Sequence, residues 1–288
     1  MARALPVPAP LGPALVGGVL LVALGGAVLL VAARRREGLA PVPTPPAPEA
    51  AAPAPAPDAL VQHQVGGASV FVRGRLLTFE SGFTIDADGD PRAYHPGDWG
   101  PRRADRTLLG LDAPENAASR EGRSAARPSP GNWPGVVATG PEGGQMPLVQ
   151  SGQAPAQPHA GFWISKTSLQ DARYPAQDVR RYVASSEVPY LAVAPELLKL
   201  GVNLGDLARV TYEGRSAFAL VADVGPAGRL GEGSILLAQR LGIPSSARSG
   251  GVRGGVRYEV VLGSGRKQPL DAAAVDQQGA ALFAGDPR

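Results

Sequence analysis

A mainly β domain with long loops and few short helices, set behind an N-terminal transmembrane helix, is the fold class the sequence predicts. Three observations carry it. An uncharged run of 23 residues lies near the amino terminus, and short runs rich in Val, Leu and aromatic residues recur between residues 59 and 288. Helical periodicity is scarce, because Gly (38) and Pro (30) together make up roughly a quarter of 288 residues, a level close to low complexity. Hydrophobic residues at 44% still supply a packed core, so a wholly disordered chain is excluded.

The first element is Leu11 to Ala33, closed by Arg34, Arg35 and Arg36. At 1.5 Å per residue it reaches about 34 Å, enough for a hydrocarbon core of about 30 Å. A cleaved signal peptide has a shorter apolar region and no triple arginine directly after it, so residues 1–37 are predicted to be a retained membrane anchor with a basic flank. The arginines favour a cytoplasmic carboxyl side, whereas the chemistry below needs an extracytoplasmic one; secretion is the alternative. Residues 38–58 hold 8 Pro between Gly38 and Pro57 and form a Pro/Ala-rich linker near polyproline II.

Residues 59–265 are the expected globular domain. Strands are predicted at Ser69–Leu77, Leu207–Tyr212, Phe218–Val224 and Arg257–Leu262, each bounded by Gly, Pro or Asp. Ser234 to Leu241 reads as a short helix, with Ser234 as its cap and Ile235, Ala238 and Leu241 on one face. A second short helix is expected at Asp178–Tyr182. Gly97–Ala160 is loop, and residues 266–288 are expected to be a flexible tail. The absence of cysteine excludes disulfides, thiolate metal sites and a catalytic thiol. A net charge of +3 is a small surplus rather than a basic stripe, which argues against nucleic acid as a partner.

Three groupings invite a chemical reading. Asp86-Ala87-Asp88-Gly89-Asp90 starts like a calcium loop, but such a loop needs Gly at position 6 and Glu at position 12, where this chain has Pro91 and Gly97; a polar turn is expected. His63, His95 and His159 lack metal-ligand spacing, so no metal is expected. Asp223 ends an apolar strand on which Ala219 and Val221 share its side, a setting that raises a carboxyl pKa. Glu232 follows nine residues on, before a helix start. Two such carboxyls are the minimum for glycoside hydrolysis. Spacing alone favours a turn-forming Asp and a helix-end Glu held by the dipole over a catalytic pair.

Phe83-Thr84-Ile85-Asp86-Ala87-Asp88-Gly89-Asp90, Gly110-Leu111-Asp112, Pro130-Gly131-Asn132-Trp133, Gly161-Phe162-Trp163-Ile164-Ser165, Val188-Pro189-Tyr190, Val221-Ala222-Asp223-Val224-Gly225-Pro226 and Gly231-Glu232-Gly233-Ser234 occur in this order. Together they resemble the family 75 glycoside hydrolases, the fungal-type chitosanases, over about residues 70–264. The resemblance implies Asp223 and Glu232 as the essential catalytic pair. It also implies internal hydrolysis of chitosan, a β-1,4-linked glucosamine polymer, with inversion and without a cofactor. The anchor, the linker and the arginine-rich stretch from Arg102 to Arg127 depart from the family, and a basic rim repels a polycation.

The segment from Val221 to Gly242 is also similar, more weakly, to the strand–DxGP–helix part of double-psi β-barrels, as in rare lipoprotein A, membrane-bound lytic transglycosylases of the A type and family 45 cellulases. That analogy implies a double-psi-type barrel in which Asp223 is the general acid and Glu232 activates water, with the exchanged roles left open. Trp99, Trp133, Trp163 and Tyr190 are candidates for stacking on sugar faces, Trp133 above all because it lies in a loop. Asp86 and Asp88 are candidates for pairing with glucosamine ammonium groups. The expected partners are a polysaccharide and, through the anchor, a membrane, with a monomeric chain. A peptidoglycan-cleaving enzyme and a catalytically silent polysaccharide-binding module are the other readings; a silent module has no need to keep both carboxyls.

Overall fold

The computed structural model describes residues 59–99, 108–117, 136–140 and 146–285. The expected anchor and linker lie outside these residues. Among the described residues no helix is long and apolar enough to cross a membrane.

The described residues form eight strands: β1 (Val61–Val65), β2 (Ala68–Arg73), β3 (Leu76–Asp86), β4 (Tyr190–Val193), β5 (Leu207–Tyr212), β6 (Arg215–Val224), β7 (Glu232–Ser234) and β8 (Val252–Val261). Among the same residues stand four α-helices: α1 (Pro114–Ala117), α2 (Pro195–Lys199), α3 (Ile235–Leu241) and α4 (Ala272–Ala284). The strands run in the order β1-β2-β3-β7-β4-β6-β5-β8, and β8 returns to pair with β3. Six strands thus close into a barrel, with β1 and β2 extending from the first half of β3. Closure leaves the six barrel strands without a free edge.

Alternation builds the barrel interior. Leu77 and Phe79 on β3, Ala208 and Val210 on β5, Ala217, Ala219 and Val221 on β6, and Val256, Tyr258 and Val260 on β8 share one core. Phe79 stacks on Tyr258 with ring centroids 4.6 Å apart, and the Tyr258 hydroxyl donates to the Gly82 carbonyl at 2.7 Å. The opposite faces of β5 and β6 present Leu207, Leu220 and Ala222 to Leu169, Tyr190 and Val275.

Helix α3 starts where the cap predicts: the Ser234 hydroxyl accepts from the Leu237 N–H at 3.1 Å. The run Ser69–Leu77 is two strands rather than one, because Gly74 takes a φ of 55° and turns the chain from β2 into β3. Asp178–Tyr182 is a single 3₁₀ turn over Val179–Arg181, capped by Asp178. The stretch expected to be a tail at 266–288 instead contains α4, capped by Asp271 accepting from the Ala274 N–H at 2.8 Å. Gly279 of α4 lies against Phe218, where a Cβ would collide with the ring, and Phe283 stacks on the same ring. This contact escapes a periodicity search because glycine carries it.

Candidate active site

The register of four neighbouring strands decides where the carboxyls stand. Thr84 on β3 pairs with Glu232 on β7, Glu232 pairs with Ala192 on β4, and Ala192 pairs with Asp223 on β6. Directly paired residues share a face. Glu232 and Asp223 therefore flank Ala192, two strand spacings apart, or roughly 10 Å between Cα atoms. Ala192, the residue between them, carries only a methyl and is buried.

This row lies outside the barrel core. On β4, Leu191 and Val193 point into the interior, so Ala192 points away. Simple alternation would put Asp223 with Val221 inside. A bulge prevents this: Leu191 pairs with Val221 and Ala192 with Asp223, leaving Ala222 as one extra residue on β6. The expected sharing of a side with Ala219 and Val221 is thus overturned, and Asp223 joins Ala192 on the loop-covered face.

Glycines make room for Glu232. Gly231 has a φ of 83° and passes against the Gly82 carbonyl, where a side chain has no space. A Cβ on Gly225, two residues after Asp223, would strike Glu232 Oε2. The hydroxyl of Ser234 accepts from the Tyr190 N–H at 3.0 Å as well as capping α3, which fixes β7 against β4.

The two carboxyls differ in their partners. Asp223 Oδ1 accepts from the Ser168 hydroxyl at 2.6 Å, the Ser168 N–H at 3.0 Å and the Val224 N–H at 2.7 Å. Burial raises its pKa, while these bonds and Lys166 pull it back down. Glu232 Oε2 is buried without a hydrogen-bond partner. Burial pushes Glu232 up to about 7, against the opposing pull of Arg229 and with the support of Asp223 and Asp112.

Asp86 and Asp88 do not reach outward as ammonium-binding groups would. They are 7% and 8% exposed, and each offers an oxygen within 4.8 Å of the other and of Asp223. Burial first, then their acidic neighbours, raises both pKa values well above the ordinary range. A hard cation takes six to eight oxygens. Asp86, Asp88 and Asp223 can together offer one oxygen each to such an ion, and Tyr94, Ser168 and backbone N–H groups already donate to them.

The aromatic candidates divide. Trp133 lies outside the described residues. Trp163 is 6% exposed and packs with Ala93, Tyr94 and Val137, and Tyr190 is wholly buried with its hydroxyl donating to the Asp88 carbonyl at 2.9 Å. Neither ring presents a face to a sugar; both were drawn into the core because their apolar area is large. Trp99 is half-buried against the same cluster as Trp163. Ala192 and Ser168 carry no chemical signature in sequence, and only strand pairing and a loop contact reveal them.

Carboxyls held above their unfolded pKa values keep protons that the unfolded chain releases. Stability is therefore complete near pH 4 and falls as pH climbs through the folded values; for Glu232 the window runs from about 4.5 to about 7. Lifting this one group corresponds to about 3 kcal/mol. Asp171 and Asp178, whose arginine partners lower them, lose their contribution only below about pH 4 and do not offset this. The melting temperature should fall between about pH 5 and about pH 8, less steeply in Glu232→Gln. A profile that is flat or rising over this range would contradict the buried-acid description.

Searches of the chain against protein-family models and against curated proteins return no match.

Proposed function

We propose that this protein is a chitosanase-type glycoside hydrolase on a double-psi-type barrel, cleaving β-1,4 linkages between glucosamine units within the polymer and inverting the anomeric carbon. The observation that carries the reading is the row Glu232–Ala192–Asp223, two carboxyls of unlike environment on either side of one alanine. A two-strand separation suits the roughly 6.5–9.5 Å between carboxyls that an inverting reaction needs for its water.

Glu232, unpartnered and with a pKa near 7, suits the general acid. Asp223, held by three donated hydrogen bonds, suits the base. In this assignment the proton of Glu232 passes to the glycosidic oxygen as the bond to the anomeric carbon breaks. Water between the carboxyls bonds to that carbon from the opposite face and gives its proton to Asp223. These roles are the reverse of those the double-psi analogy implies, and the hydrogen-bond inventory is the reason. The domain would stand outside the membrane, held by the apolar segment 11–33 and the Pro/Ala spacer, where such a polymer is met.

A reducing-end assay of purified 59–288 on chitosan, chitin, cellulose and peptidoglycan tests the reading. Release from chitosan above the other three is the expected result. Release from peptidoglycan alone would move the assignment to wall cleavage, and no release from any would leave a binding module.

A further inference from the structure

Two buried acids, Asp86 and Asp88, have no part in the hydrolytic step described above. Asp86 ends β3, pairs with Ser234 across β7 and accepts from the Asp88 N–H at 2.8 Å. Asp88 Oδ1 accepts from the Tyr94 hydroxyl at 2.7 Å, and the Ser165 hydroxyl stands 3.5 Å away. The charged groups acting most on Asp86 are Asp223 from β6 and Glu232 from β7, both acidic, while the Asp88 backbone N–H and Tyr190 from β4 pull the other way. Lys166 acts on Asp223 and Arg229 on Glu232.

Carboxylates this close and this buried cannot all be ionised. Their surroundings rank them. Asp223 has three hydrogen-bond donors on one oxygen and a lysine nearby, and Asp88 has the Tyr94 hydroxyl; Asp86 has one backbone N–H, and burial, then Asp223 and Glu232, hold it well above the ordinary range. Resting on the hydrolytic reading, we propose that Asp86 is a positioning residue that works as a neutral carboxylic acid, holding the proton whose presence leaves the negative charge of this pocket on Asp223. Recognition of a cationic sugar then falls to other groups, since an uncharged Asp86 offers no ion pair to an ammonium group.

The tests are Asp86→Asn, Asp88→Asn and Asp223→Asn in the full chain, read by kinetics and by the infrared C=O stretch of protonated carboxyls. An amide replaces a neutral acid with little electrostatic change. Asp86→Asn should keep kcat within about threefold, leave KM for cationic oligomers unchanged and leave the acid limb of the pH profile in place. A charged Asp86 would predict the opposite: its removal would move that limb down by about one pH unit or more and raise KM. In the spectrum at about pH 8 or above, past the value of about 7 for Glu232, one protonated-carboxyl component should be lost in Asp86→Asn and kept in both Asp223→Asn and Asp88→Asn. Intensity that is absent in the unaltered protein, or that follows Asp223 or Asp88 instead, overturns the proposal. Should Asp86→Asn fail to fold, titrating that band in the unaltered protein, with Asp223→Asn beside it, decides the question. The spectrum needs no substrate, so a failure of the hydrolytic reading and a failure of the proton assignment remain separate results.

Discussion

Replacing either Asp223 by Asn or Glu232 by Gln should lower hydrolysis of the glucosamine polymer by at least about a hundredfold, the contribution typical of one general acid or base. Both changes keep shape. Asn retains the oxygen that accepts from Ser168 and Val224, and Gln removes the proton to be donated from a site whose Oε2 already lacks a partner. Melting temperature at neutral pH should hold or rise, since a buried carboxyl kept for chemistry costs stability. Near-normal turnover in either variant, with folding intact, would remove that residue from the acid–base pair.

The second large effect is expected at a residue with no chemistry of its own. Ala192→Val adds two methyl groups between the carboxyls, where the attacking water must stand. A displacement of about 1 Å there is enough for roughly a hundredfold loss, and the loss should appear in kcat with KM little changed. Overpacking costs about 1–3 kcal/mol, so a thermal melt must accompany the kinetics. An unaltered kcat in a folded Ala192→Val protein would mean that the reaction does not use the space between the carboxyls.

Local signals in the sequence were read well where the structure is local. Leu207–Tyr212 is the strand β5 without adjustment, and Ser234 caps α3, because both depend on residues adjacent in the chain. The mainly β character follows from the same kind of signal. The proximity of Asp223 and Glu232 was legible from motif order, and the site's inner geometry was not. The face on which Asp223 stands depends on one extra residue in β6, and period-two counting has no term for a bulge. Asp86 and Asp88 look like a solvent-facing turn until β3, β4, β6 and β7 are brought side by side. Tyr190 and Trp163 look like binding aromatics until their burial is known.

Helix α4 has a consequence for where this domain ends. Its Val275 is fully buried against the outer wall of β5 and β6, together with Leu207, Leu220 and Ala222. Arg240 of α3 pairs with Asp276 at 2.7 Å, and the Arg209 guanidinium lies 4.7 Å from the centre of the Phe283 ring. A chain shortened after Gly265 would bare that apolar strip directly behind the residue preceding Asp223. The helix therefore acts as a clasp, and the packed unit runs through Ala284.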